Sequence, residues 1–195
     1  MFKLAFPEAD VLYWAKRYSY AGEENLEKVI APRARKRGYL TRAEFVEVCK
    51  WKTPRTQPLV RENPSDLVEA ATRAALGSRH EDVKIGVLRL LRGVGWPTAT
   101  VILHFCDKRP YPILDVRALW SLGYPDPPAY TLQFWLAYTE FTRELARRTG
   151  QSMRIVDRAL WQYSRESQAG SIRPVWRPVS RPLWRPVSRP VSRKP

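Results

Sequence analysis

Residues 88–102 read Leu-Arg-Leu-Leu-Arg-Gly-Val-Gly-Trp-Pro-Thr-Ala-Thr-Val-Ile, and eighteen residues beyond Pro97 the run Tyr-Pro-Ile-Leu ends in Asp115. The first feature suits anion binding. A helix closing on Leu88 and Leu91 meets Gly93-Val94-Gly95, and a second helix opens at once with Pro97 in its first turn. Each glycine can take a positive φ or let backbone approach closely, Val94 can plug the angle between the helices, and Ala99 permits a short interaxial distance. The amides of Gly95 and of the next helix's first turn, including Trp96 and Thr98, then point outward with the helix dipole behind them, which suits a phosphate. Pro97 supplies no donor, and costs nothing where no intrahelical bond would form.

The second feature, Asp115, carries two readings that stand side by side. It can be the N-cap of a helix over Val116 to Leu122, or a carboxylate placed for catalysis, and one side chain can do both. Arg117, two residues on, suits a phosphate contact. Lys50-Trp51-Lys52-Thr53-Pro54-Arg55 ends a helix with cations around an indole. Lys52 and Arg55 could grip phosphates there, and Trp51 could pack on a base, or the segment could be a solvated helix end. Tyr13, Trp14, Tyr18 and Tyr20 form an aromatic stripe whose ordinary role is core but which could wall a pocket. Trp96 fits either a surface contact or hairpin packing. His104 reads as a structural histidine inside an apolar helix, and His80 with His104 is too sparse a set for a metal centre. Asp126 and Asp157 have no partner that spacing identifies.

The elements that must position these residues read as helices throughout. Thr41-Arg42-Ala43-Glu44 is a capping box, Asn63-Pro64 is placed to cap a helix ended by Gly77, and Ser78 to start the helix that runs into the glycine turn. Helical periodicity continues over 96–107, 116–122, 131–149 and 152–167, and the segments 7–20 and 23–37 precede them. No alternating strand or hairpin pattern occurs, so the expected class is all-α.

The chain has 195 residues, 34 basic against 19 acidic, and a net charge of +15, a balance that points to a polyanionic partner. Its last residues repeat Arg-Pro-Val/Leu-Trp/Ser with proline at every fourth position, which forbids a helix. We expect 168–195 to be a disordered basic tail, either an Arg/Trp tether for nucleic acid or an extension without a selected role. The rest of the chain stays basic without it. Cys49 and Cys106 are the only cysteines, too few for a four-cysteine zinc site or a cysteine-ligated iron–sulfur cluster. No long apolar run or signal-peptide pattern is present, so the expected setting is the cytoplasm, at the nucleoid, with no membrane contact.

The pattern Gly-hydrophobic-Gly, two variable residues, Thr-Ala, set between Leu91 on one side and Val101 and Ile102 on the other, resembles a helix-hairpin-helix motif. With Asp115 at its distance downstream, residues 85–123 resemble the helix-hairpin-helix DNA glycosylases of the endonuclease III and alkyladenine glycosylase superfamily. The resemblance implies a two-lobed helical fold. One lobe would be 21–113 with the hairpin at 88–107, the other 1–20 plus 116–167, and Asp115 would be the catalytic acid in the cleft between them. It implies double-stranded DNA as partner, contacted by Gly93, Val94, Gly95, Trp96, Thr98 and Arg117, a monomer, and base flipping. Two departures narrow it. Relatives that also cut the strand carry a lysine where this chain has Pro97, so a lyase using that position is excluded, and the clustered branches need four cysteines. The implied activity is therefore monofunctional, a hydrolase that removes a damaged or modified base and leaves an abasic site. It would need no metal or redox cofactor, although the family pattern leaves room for a monovalent cation on hairpin carbonyls. The rival is a non-catalytic DNA-binding module that uses the hairpin only to hold backbone.

Overall fold

The computed structural model describes residues 1–168, and its regular elements are all helical. Of the disordered tail expected over 168–195, residues 169–195 lie outside the described residues, whereas Gln168 is ordered as the C-cap of the last helix. In chain order the α-helices are Val11–Lys16 (α1), Ala31–Arg37 (α2), Arg42–Lys52 (α3), Gln57–Val60 (α4), Ser65–Gly77 (α5), Glu81–Leu88 (α6), Trp96–Cys106 (α7), Val116–Trp120 (α8), Leu132–Thr149 (α9) and Met153–Ser167 (α10).

Local chemistry accounts for most of the boundaries. Thr41 accepts from the Glu44 amide and the Glu44 carboxylate accepts from the Thr41 amide, closing the capping box on α3. Thr131 and Ser152 cap α9 and α10 through the Phe134 and Ile155 amides. Three expectations need correction. The segment 7–20 is a 3₁₀ turn plus the six residues of α1, not one long helix. The segment 23–37 contains a π-helical stretch, Leu26–Ile30, ahead of α2; Pro32 has no amide hydrogen to continue the regular ladder there. The helix expected to start at Ser78 starts at Glu81, because Ser78 Oγ accepts the His80 amide in a turn of its own.

The buried apolar residues fall into two clusters. One gathers Leu26, Leu40, Phe45, Val48, Val60, Val68, Leu88, Val94, Ile102 and Phe105 with α2 to α7, and the other gathers Phe6, Val11, Leu114, Leu119, Tyr138, Leu145 and Leu160 around α1, α8, α9 and α10. The chain passes from the first to the second between Ile113 and Leu114, one residue before Asp115. Trp135, although on α9, is buried in the first cluster and stacks on Tyr111 with centroids 6.0 Å apart. Cys49 and Cys106 are buried free thiols, and burial pushes the Cys106 thiol up to about 12, so it is protonated at neutral pH.

His104 behaves as a structural residue of α7. Its Nδ1 lies 2.6 Å from the Tyr111 carbonyl oxygen. Burial holds its pKa below the ordinary histidine value, against the opposing pull of the Asp157 charge and of that hydrogen bond. Below about pH 6.5 the unfolded chain binds a proton at this site that the folded one resists, so stability falls on acidification. Melting temperature should be level above pH 7 and drop between pH 7 and 5, with up to about 1.4 kcal/mol lost per pH unit. In His104→Gln the drop over that window should flatten.

Candidate active site

The glycine turn is built from both sides. The Val94 amide donates to the Leu91 carbonyl at 3.1 Å, and Gly93 takes φ +78 with its Cα turned against α4. A Cβ there would lie 2.8 Å from Val60 Cγ2 and 3.0 Å from the Val60 nitrogen. Gly95 is different: its backbone is extended at φ −91, it is exposed, and a Cβ would meet nothing nearer than Pro97 Cδ at 3.9 Å. Gly95 is therefore required by nothing inside the protein. Its amide and those of Trp96 and Thr98 precede the first intrahelical bond of α7, from the Ala99 amide to the Gly95 carbonyl.

Asn63 corrects another expectation. It does not cap α5, whose N-cap is Pro64 without a side-chain bond. Buried at 1 % exposure, it reaches the turn instead, where Nδ2 donates to the Arg92 carbonyl at 2.9 Å and Oδ1 accepts the Arg92 amide at 2.8 Å. Nδ2 also donates to the Val60 carbonyl at 2.8 Å. This clamp ties the hairpin to the α4–α5 connection, and Asn63→Ala should cost about 1–3 kcal/mol in a denaturant melt. The carbonyls of Leu91, Arg92 and Gly95 each accept one of these hydrogen bonds.

The other residues expected at the surface are distributed unevenly. Val94 is buried in the first cluster as the expected plug. Thr98 is buried too, its hydroxyl 3.2 Å from that of Thr53, which ties the start of α7 to the end of α3. Trp96 packs against both clusters, with the Arg89 guanidinium 4.2 Å from its ring centroid. Arg55 is exposed in the turn after α3. Arg117 lies with its guanidinium 5.5 Å from the Trp161 ring.

Asp115 sits where the two clusters meet, on an extended segment held from several elements. The Ile113 amide donates to Asp157 Oδ1 at 3.0 Å and its carbonyl accepts the Tyr138 hydroxyl at 2.9 Å, while the Leu114 amide donates to Thr100 Oγ1 at 3.0 Å. The carboxylate itself is shared. Oδ1 accepts the Arg117 amide at 2.9 Å, capping α8, and Oδ2 meets Lys52 Nζ at 2.5 Å. Lys52 and Asp115 side chains keep 13 % and 21 % exposure, so the pair faces an opening and is not sealed in a core. Burial by itself would raise the Asp115 pKa; the Lys52 charge and hydrogen bond, the Arg117 amide and the Arg117 charge overcome it and hold the carboxyl below its ordinary value.

That opening is a pocket whose empty space, counted out into the solvent at its mouth, is about 480 Å³. Asp115 and Lys52 share it with Tyr18, Tyr20, Trp51, Trp161 and Asp157. The aromatic rings meet edge to face: Tyr20 with Trp51 at 5.4 Å, Tyr20 with Trp161 at 5.4 Å and Tyr18 with Trp161 at 5.3 Å. Behind Tyr18 lie the guanidinium groups of Arg154 and Arg158, each 5.5 Å from its ring, in an ionic network with Glu23, Glu27 and Asp157. Burial raises the Tyr18 phenol, which stays neutral at physiological pH. The stripe that includes Tyr13 and Trp14 thus divides, with Tyr18 and Tyr20 in the pocket wall, Trp14 packed on the second cluster and Tyr13 exposed.

The protein matches no family model, no curated protein and no solved structure. The chemistry of the site therefore has to be argued from its own geometry. An ionised carboxylate at the mouth of an aromatic pocket can stabilise positive charge developing on a sugar whose planar substituent is held between the rings. Among the described residues no three His, Cys, Asp or Glu side chains converge on a metal position, and no helix is long and apolar enough to cross a membrane.

Trp161 escaped the sequence reading, and Asp157 stood there only as an acid without an identified partner. Both lie on an amphipathic helix where an indole and an acid have ordinary surface or core uses, and neither has a spacing cue to Asp115. Lys52 was read as a phosphate grip; its ammonium is on Asp115 instead.

Proposed function

We propose that the protein is a DNA N-glycosylase of the two-lobed helix-hairpin-helix type, in which the two buried clusters are the cores of the lobes. The observation that carries the proposal is Asp115, eighteen residues past the hairpin proline, ionised and at the mouth of the aromatic pocket.

The amides of Gly95, Trp96 and Thr98, which precede the first intrahelical bond of α7, hold a backbone phosphate, and one nucleotide turns out of the duplex into the pocket. Its base lies against Trp51 and Trp161 and its sugar against Asp115. As the N-glycosidic bond lengthens, the electron pair leaves with the base, and positive charge on the sugar is stabilised by the carboxylate, which also orients the attacking water. The aromatic wall selects a planar heterocycle, so the substrate class is a damaged or modified base in double-stranded DNA.

Removing either indole should weaken substrate capture. Trp161→Ala and Trp51→Ala are each expected to raise KM for base release by roughly tenfold, from stacking of about 1–3 kcal/mol per base. Single-turnover titrations of DNA against enzyme read this directly. The proposal as a whole is tested by base release from duplexes carrying single modified bases. A non-catalytic module would bind every duplex with the same salt dependence and release nothing.

A further inference from the structure

We propose that Lys52 is a second catalytic residue of this pocket, an amine that captures the abasic sugar as a Schiff base and gives the protein a strand-cleaving lyase activity. The inference rests on the glycosylase reading for the location of the sugar, and on the placement of Lys52 for everything else.

Among the described residues two lysine–aspartate pairs are shielded from solvent, and their surroundings differ. Lys84 is 1 % exposed, donates to the Ala75 and Leu76 carbonyls as well as to Asp107, and is sealed among α5, α6 and the end of α7, where it ties helix ends together. Lys52 meets a single acceptor among the described residues, Asp115, and both face the pocket. It is also the one lysine in the pocket lining among the described residues. A lysine kept for phosphate would extend into solvent from the end of α3. This one is turned inward beside Trp51, and the Thr53–Thr98 hydroxyl contact fixes the helix end that carries it. The amine therefore comes from α3, and the absence of a lysine at the hairpin, where Pro97 stands, does not deprive the site of one.

The chemistry closes with groups in the pocket and water. The abasic sugar left by base removal opens to a C1′ aldehyde. Lys52 passes its proton to the Asp115 carboxylate and the neutral amine adds to C1′, forming the N–C bond of a carbinolamine. That proton then leaves with the carbinolamine hydroxyl as water, giving the imine. Asp115, again a carboxylate, takes a proton from C2′; the C–H electron pair forms the C2′–C3′ double bond as the C3′–O bond breaks and the phosphate departs with its pair. Water hydrolyses the imine and returns the lysine.

The test uses the full chain and a duplex with one abasic site made by removing a uracil, so recognition of the natural base does not enter. Incubation with sodium borohydride, which delivers hydride to an imine and freezes it as a secondary amine, should yield a covalent protein–DNA adduct. Peptide mapping should place the adduct on Lys52. Lys52→Arg keeps a cation on Asp115 but cannot form the imine, and should lower the adduct yield at least 100-fold. Absence of an adduct with the wild type, mapping to a different amine, or an undiminished adduct in Lys52→Arg would overturn the proposal. Mapping on the wild type decides the matter even where the variant is poorly folded. Base release without an adduct would leave the glycosylase reading standing and remove this one; an adduct without base release would do the reverse.

Discussion

Asp115→Asn is expected to lower base release at least 100-fold: on the proposed reading its carboxylate balances the charge developing on the sugar, while the other acid lining the pocket, Asp157, is tied to Arg154 and the Ile113 amide. Binding of the same duplex should persist, since the substitution removes a negative charge beside a polyanion. The asparagine oxygen can still accept the Arg117 amide, so the cap on α8 survives, whereas Asp115→Ala should lose a further ~1 kcal/mol of stability with the cap. Comparing the two variants separates the catalytic role from the capping one. The pH profile follows from the same contacts. The Asp115 pKa is depressed, so the carboxylate stays ionised through the ordinary carboxylate range, and its contribution to both rate and stability is lost only as pH falls through the lowered value. The acid limb of base release should accordingly lie below about pH 4, the usual aspartate value.

The second large effect is at the turn, where two glycines that look equivalent in sequence should behave oppositely. Gly93→Ala meets both a left-handed backbone and Val60, and should cost about 2–4 kcal/mol of unfolding free energy. Gly95→Ala has neither problem and should melt as the wild type does. If a phosphate oxygen is held by the Gly95 amide, the added methyl crowds that approach, and DNA affinity should fall by tenfold or more while stability is kept. Urea melts and salt-controlled binding isotherms on the two variants read the pair of outcomes.

The hairpin and Asp115 could be found in the sequence because their information is local. A glycine spacing, a Thr-Ala pair and a proline-led approach to an acid are all contained within thirty residues. The same holds for the helical class, which follows from periodicity, and for the Thr41–Glu44 box. The pocket could not be found that way. Its lining comes from Tyr18 and Tyr20, Trp51 and Lys52, Asp115, and Asp157 and Trp161, and the decisive ion pair joins residues 63 positions apart. No periodicity reports such a distance. Asn63 shows the opposite failure. An Asn-Pro step before an apolar run is locally a good cap, but the hairpin turn offers Asn63 both a donor and an acceptor on Arg92, and the tertiary partner wins. At Gly95 the structure supplies no internal reason for glycine, which makes the external one more informative.

The most direct measurement is base release by the wild type from a panel of duplexes, each with one modified base, scored by the free base itself and by the abasic site revealed in hot alkali. Appearance of free base and of a matching abasic site from at least one duplex, lost in Asp115→Asn with binding retained, is the predicted result. Tight, salt-dependent binding of every duplex with no base released from any of them would contradict the account and leave a DNA-binding module.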